Sequence, residues 1–246
     1  MLAALLELAP GGVEQVDGDD WVEYALYGAP GELPSYPDGE VEVAGVRVSV
    51  RGDPVADDWG ERWKEFHQPV LIGDRLWVRP PWAPPRAGAL DLVIDPGQAF
   101  GTGAHPTTKL SLELMLELEP GGSFADLGCG SGVLAIAAAK LGFAPVVAVD
   151  NELAALDATR ANAAANGVEL DAVERVNLRE QDPPAADTVA ANLVRPLLHE
   201  LELAARPRAA ILSGLLEEEA DEFATAFGLT ERGRLVEGGW AALLLR

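Results

Sequence analysis

The sequence predicts an α/β protein: a Rossmann-like, seven-stranded domain preceded by a small N-terminal α+β domain. Three observations carry this. The stretch SFADLGCGSGVLAIAAAKLG at 123–142 reads as a short apolar strand, a turn with glycines at 128, 130 and 132, and an Ala/Leu/Ile helix, the first half of a nucleotide-binding βαβ unit. About twenty residues on, a second apolar run, PVVAVD, ends in Asp150. Further apolar runs then alternate with helical patterns until about seven strands have been counted.

At the N-terminus, MLAALLELA reads as a short amphipathic helix, GGVEQVDGD as a turn and strand, WVEYALYG as an alternating strand, and VEVAGVRVSV as a strand of the same period. Residues 1–55 are thus expected to form a small domain of one helix and about three strands. PVADDWGERWKEFHQ at 54–68 predicts a linker helix over 56–68, started by Asp57 or Asp58, with Trp59, Trp63 and Phe66 as a packing stripe. The main domain, 69–246, opens with apolar strands at 69–78 and 90–94 around the bend RPPWAPP.

DPGQAFGTGAHPTT at 95–108 has too many glycines for a helix and too few charges for a solvated loop; KLSLELMLEL follows as a helix that Thr107 or Thr108 would cap. His105 has no second His or Cys at ligand spacing and reads as structural. After Asp150, ELAALDATRANAAANG predicts a helix ending at Gly167, LDAVERV a strand, and DTVAANLVRPLL the fourth strand and its exit. His199, on the next helix, reads as a surface or packing residue. RAAILSGLL predicts the fifth strand, EEEADEFATAFG a helix, and LTERGRLVEG with GWAALLLR a closing antiparallel hairpin.

Composition narrows the function. Hydrophobic residues make up 48% of the chain, enough for a core, and 40 acids against 18 bases give a net charge of −22. Such a surface repels phosphates, so direct nucleic-acid binding is disfavoured; the acidity either attracts a basic protein partner or serves only to keep the chain soluble or to suit a salty cytoplasm. Cys129 is the single cysteine, which excludes an intrachain disulfide; inside a glycine turn it reads as a small packed residue. The first ten residues lack a basic start and include Glu7, so no signal peptide is read, and the longest apolar stretch is interrupted by Lys140, Gly142 and Pro145. A cytoplasmic monomer without a membrane span is expected.

The glycine turn has the form D-x-G-x-G-x-G, with Asp126 leading it, and no G-x-x-x-x-G-K-[ST] occurs. Glycines 128 and 130 allow a sharp turn and close approach of a ligand. An acid at the end of the second strand, Asp150, suits both hydroxyls of a ribose. An acidic lead residue suits a cationic ligand without phosphates, and S-adenosylmethionine meets that description. Asn192 ends the fourth strand at the carboxyl edge, where open α/β sheets bind ligands.

The motifs DPGQAFGTGAHPTT and DLGCGSG, with DDWGERWKEFHQPVLIGDRLWVRPPW upstream and VAANLVRPLL downstream, resemble the PrmA family, methyltransferases of the eleventh protein of the large ribosomal subunit. The resemblance covers residues 57–246 well and the N-terminal part loosely. It implies an adenosylmethionine-dependent methyltransferase fold acting on lysine side chains and the terminal α-amine of that ribosomal protein. It further implies that the N-terminal domain recognises the substrate, that the 95–108 loop folds over the cofactor with Phe100 beside it, and that Thr107 hydrogen-bonds to it. Family members begin with a strand ahead of the first helix; here the sequence begins inside that helix, so either its start lies upstream or the small sheet is one strand short.

Asn192 resembles the Asn of the N-P-P-Y-type motif of amino-directed methyltransferases, although Leu-Val-Arg follows it here and no aromatic partner carries over. Asn192 and Phe100 are thereby expected to be catalytic, and Phe100, Thr107, Asp126, Gly128, Gly130, Asp150 and Asn192 to bind the cofactor. No metal site is expected. A small-molecule N- or O-methyltransferase and a catalytically silent adenosylmethionine-binding protein share the same cofactor motifs.

Overall fold

Valine occurs in each of the N-terminal strands. The computed structural model describes residues 13–17, 22–26, 39–43, 46–50, 68–95 and 105–246, and the chain divides into two compact units, Met1–Gly60 and Glu61–Arg246. In the first unit, β1 (Val13–Asp17) pairs antiparallel with β2 (Val22–Leu26), and β3 (Gly39–Val43) with β4 (Val46–Val50). Four strands therefore stand where about three are expected, because VEVAGVRVSV is two. Its valines occupy odd positions up to Val43 and even positions from Val46, the phase break that a two-residue connection produces. The expected first helix and the linker helix lie outside the described residues.

The second unit begins with a three-stranded sheet in which β5 (Val70–Ile72) pairs antiparallel with β6 (Leu76–Arg79) and β6 parallel with β7 (Leu90–Val93). Helix α1 (Pro106–Met115) follows, then β8 (Phe124–Leu127), α2 (Val133–Leu141), β9 (Val146–Asp150), α3 (Leu153–Ala165), β10 (Ala172–Arg175), β11 (Thr188–Asn192), α4 (Arg195–Glu200) and β12 (Ala209–Leu216). A 3₁₀ helix (Glu217–Phe223), the two-residue β13 (Thr225–Ala226), β14 (Leu229–Glu237) and β15 (Trp240–Leu245) complete it.

The main sheet has the order β10-β9-β8-β11-β12-β15-β14-β13. β10 to β12 and their neighbours β8 and β9 are all parallel, while β15 runs antiparallel between β12 and β14. Parallel strands lie covered on both faces, which is why β8 and β11 are nearly continuous apolar runs. One core forms around Phe124, Ile136, Leu112 and Leu92, the other around Leu127, Val189, Leu212 and Phe223. Winding reverses between β8 and β11, which places a topological switch point at their carboxyl ends.

The segment expected as the last helix forms the 3₁₀ helix and β13 instead. Five acids between 217 and 222, with Glu218 and Glu222 one turn apart, oppose an α-helix there, and Phe227 and Gly228 take positive φ (54° and 72°) to turn β13 into β14. The cap of α1 differs too. His105 rather than a threonine caps it: His105 Nδ1 accepts the Thr107 N–H at 3.3 Å, Pro106 opens the helix, and the imidazole meets Trp240 edge-on at 5.2 Å. His199 packs on Phe223 and lies 2.9 Å from Glu222, and Arg195 forks onto the same carboxylate, binding α4 to the 3₁₀ helix. No helix among the described residues is long and apolar enough to cross a membrane.

Candidate cofactor and active site

The turn after β8 is held from three sides. The N–H groups of Gly128 and Cys129 both donate to the Val149 carbonyl, at 2.9 and 3.0 Å, which stitches the turn to the end of β9. Gly128, Gly130 and Gly132 have φ of 76°, 52° and 79°, a region that side-chain-bearing residues rarely enter. Space is equally demanding. A Cβ on Gly128 would stand 2.3 Å from Leu193 Cδ2, and one on Gly132 would stand 2.8 Å from the Thr159 side chain.

Asp126 lies on the Phe124 face of β8, against α2, because alternate strand residues share a face. The N-cap of α2 is Gly132, which has no side chain to cap with, and Asp126 supplies the acceptor from the strand: its Oδ2 takes the Ala135 N–H at 3.0 Å. Its Oδ1 is buried and has no hydrogen-bond partner among the described residues. Burial, opposed by the Ala135 N–H and reinforced by the negative charge of Asp150, pushes the carboxyl up to about 7.

Asp150, half-buried at the end of β9, accepts the Gly130 N–H through Oδ2 and the Glu152 N–H through Oδ1, each at 3.0 Å. It thereby fixes the glycine turn and the start of α3 together. Each oxygen keeps a second lone pair for a further donor. Cys129 is buried, with the Thr159 hydroxyl 3.3 Å from its Sγ, and burial pushes the thiol well above its ordinary range, so it is a packed residue rather than a nucleophile.

Across the switch point, Asn192 ends β11 in register with Ser213 of β12. The next residue, Leu193, fits between two glycines: beside Gly128 as described, and against Gly214, where a Cβ would stand 2.2 Å from the Leu193 carbonyl oxygen. A break in the β12–β15 register between Ser213 and Leu215 accommodates this approach. Asn192 Nδ2 reaches Thr108 Oγ1 at 3.4 Å, and among the described residues nothing takes its side-chain carbonyl. Thr107 is buried; its hydroxyl meets His105 Nδ1 at 2.8 Å and its carbonyl accepts from Ser111 and Ser213.

The structure thus gathers Asp126, Gly128, Gly130, Asp150 and Asn192 at one sheet edge and turns Thr107 into the base of α1. Phe100 lies outside the described residues. Sequence reasoning missed Leu193 and Gly214, Thr108 beside Asn192, and Thr159, Asn162 and Asn166 of α3. The last three were detectable as polar residues at helical spacing on a stripe otherwise made of Ala155, Leu156 and Ala163.

The residues present fit a cationic adenosyl nucleoside: a buried carboxylate oxygen without a partner among the described residues, an acid with spare acceptors at the end of the neighbouring strand, and a turn whose backbone no Cβ obstructs. Fold and site together define a Rossmann-like, S-adenosylmethionine-dependent methyltransferase. The profile of one family, "Ribosomal protein L11 methyltransferase (PrmA)", matches residues 40–246, and the chain belongs to that family.

A ribosomal protein L11 methyltransferase of Symbiobacterium thermophilum is 39% identical over 199 residues, covering 76% of this chain and 65% of that relative. The match therefore spans just under two thirds of that relative's length. One from Cupriavidus necator is 38% identical, covering 87% of this chain and 81% of its own length. Among solved structures, the ribosomal protein L11 methylase of Lactobacillus delbrueckii subsp. bulgaricus superposes with a TM-score of 0.63 at 27% identity, covering 73% of this chain and 98% of that one.

Proposed function

We propose that this chain transfers methyl groups from S-adenosylmethionine to amino groups of the eleventh protein of the large ribosomal subunit, its lysine side chains and its N-terminal amine. The observation that carries the reading is the placement of Asn192, half-buried at the switch point with its side-chain carbonyl unengaged among the described residues, next to a residue packed on the glycine turn. The names of the relatives support the choice of substrate.

When bound, S-adenosylmethionine supplies an electrophilic methyl on a sulfonium. The chain's own residues bind, align and select. Asp150 holds the ribose through its spare lone pairs, Gly128 and Gly130 admit the nucleoside against the backbone, and Asp126 favours a cation. Free lysine has a pKa near 10.4, so the amine must lose its proton before it attacks. Solvent can take that proton, and Asn192 Oδ1 then accepts a hydrogen bond from the neutral amine and aims its lone pair. Alignment of this kind lowers the barrier by roughly 7–11 kcal/mol relative to free encounter. Phe100 excludes water, and Thr107 belongs to the cofactor side of the site.

The N-terminal domain, 1–55, recognises the substrate and the segment at 56–68 links it to the methyltransferase domain at 69–246. The net charge of −22 draws in a basic protein and repels nucleic acid. The enzyme works as a monomer in the cytoplasm. Incubation of the purified ribosomal protein with enzyme and labelled cofactor tests the proposal: label recovered on lysines and the terminal amine is expected. Absence of label at saturating cofactor would remove the proposal.

A further inference from the structure

We infer that Asn162, on the buried face of α3, is a positioning residue for the cofactor seat, clamping the glycine turn to the exit of β7. The inference rests on the reading that this turn receives S-adenosylmethionine. Asn162 is 2% exposed. Its Nδ2 donates to the Ser131 carbonyl at 2.9 Å, and its Oδ1 accepts the Asp95 N–H at 2.9 Å. One amide side chain therefore joins two segments that are far apart in sequence.

Its neighbours on the stripe each serve one segment. One turn earlier, the Thr159 hydroxyl lies 3.0 Å from the Gly130 carbonyl and 3.3 Å from Cys129 Sγ, both in the glycine turn. One turn later, Asn166 brackets Val93, accepting its N–H at 2.9 Å and donating to its carbonyl at 2.6 Å. Helix spacing puts Thr159, Asn162 and Asn166 on one face, so α3 offers side-chain partners to the main chain of the turn and of the strand exit along a single line. Buried polar side chains destabilise a core unless bonded, so their presence among Ala155, Leu156 and Ala163 reflects these bonds.

Removing Asn162 leaves the Ser131 carbonyl without one donor and the Asp95 N–H without one acceptor. It also uncouples the turn from β7. The turn's ability to receive a ligand depends on its shape, since its φ values and its spacing from Leu193 and Thr159 leave no slack. Asn162 consequently acts on affinity through the turn, without touching the ligand.

Calorimetric titration of the full chain with S-adenosylmethionine, paired with thermal melting, tests this. Asn162→Ala is expected to weaken binding about tenfold or more, and Asn166→Ala, which releases Val93 and the Asn162 main-chain carbonyl but keeps the Asn162 side-chain bonds to Ser131 and Asp95, to lower the melting temperature while leaving affinity within about threefold. Asn162→Asp supplies a second readout that stability alone would not move. As a neutral acid its O–H can donate to Ser131 and its C=O accept from Asp95; once ionised it has only acceptors. Relative to wild type at the same pH, its affinity should be about tenfold weaker wherever the carboxyl is ionised, and any pH dependence of the ratio should run towards weaker binding as pH rises.

Wild-type affinity in both Asn162 variants, or equal weakening by Asn166→Ala at an equal loss of melting temperature, would overturn the inference. Should Asn162→Ala fail to fold, an affinity of Asn162→Asp within about threefold of wild type at pH 8.5 would overturn it alone. Wild-type protein that takes up no S-adenosylmethionine would instead overturn the reading on which it rests.

Discussion

Asp150 Oδ2 accepts the Gly130 N–H at 3.0 Å, so the acid that ends β9 and the glycine turn that follows β8 hold one another in place. Because Oδ1 takes the Glu152 N–H, one carboxylate sets both the turn and the start of α3. Asp150→Ala is expected to weaken S-adenosylmethionine binding by about 2 kcal/mol, roughly thirtyfold, in a calorimetric titration. Asp150→Asn should be little better, since its NH₂ would face a backbone N–H.

Asp126 makes the protein sensitive to pH. Its folded carboxyl titrates at about 7, above the ordinary 3.8, so the folded state holds this proton more tightly than the unfolded chain. Stability from this group is therefore fullest below about pH 4 and falls as pH rises towards 7. Asp126→Asn keeps an acceptor for the Ala135 N–H and cannot ionise. The melting-temperature difference between wild type and variant, without cofactor, should shift against the wild type between pH 5 and pH 8. Affinity for the cationic cofactor should rise with pH through about 7 in the wild type and lack that rise in the variant.

Gly128→Ala combines two penalties that can be separated. The positive φ costs roughly 1–2 kcal/mol whatever the surroundings, and the new Cβ collides with Leu193 Cδ2. Adding Leu193→Ala should remove the collision and recover part of the lost cofactor affinity, leaving the conformational penalty. Gly214→Ala should not be rescued in this way, because its Cβ meets the Leu193 carbonyl, which is backbone. Calorimetric titrations with S-adenosylmethionine, set beside melting curves, of Gly128→Ala and Gly214→Ala with and without Leu193→Ala check this.

Asn192→Ala should separate chemistry from binding. Its single hydrogen bond among the described residues, to Thr108, is long at 3.4 Å, so its loss should change the melting temperature little. Turnover should fall on the order of a hundredfold, with cofactor affinity changed less than by Asp150→Ala. Single-turnover rates with the ribosomal protein substrate, set beside calorimetry, measure the split.

The main sheet was legible because strands buried on both faces read as continuous apolar runs, and because the glycine turn and Asp150 stand at fixed spacing around one helix. Asp126, Gly128, Gly130, Asp150 and Asn192, singled out in the sequence, accordingly stand at one edge of that sheet. What stayed hidden depends on partners brought together by folding. Nothing local marks Asp126 as the cap of α2, since a cap is sought beside its helix and here it comes from a strand. Leu193 and Gly214 touch only once β11 and β12 are paired. EEEADEFATAFG reads as a helix, whereas the run of acids and the turn at Phe227 and Gly228 confine it to a 3₁₀ helix and a short strand.

Calorimetric titration of S-adenosylmethionine into the wild-type chain tests the central claim, that the glycine turn and its two flanking acids form the seat of a methyl-donating nucleoside. One molecule bound per chain, with affinity reduced by Asp150→Ala and no comparable uptake of a nicotinamide dinucleotide, is the predicted result. No heat of binding, or preference for the dinucleotide, would contradict it.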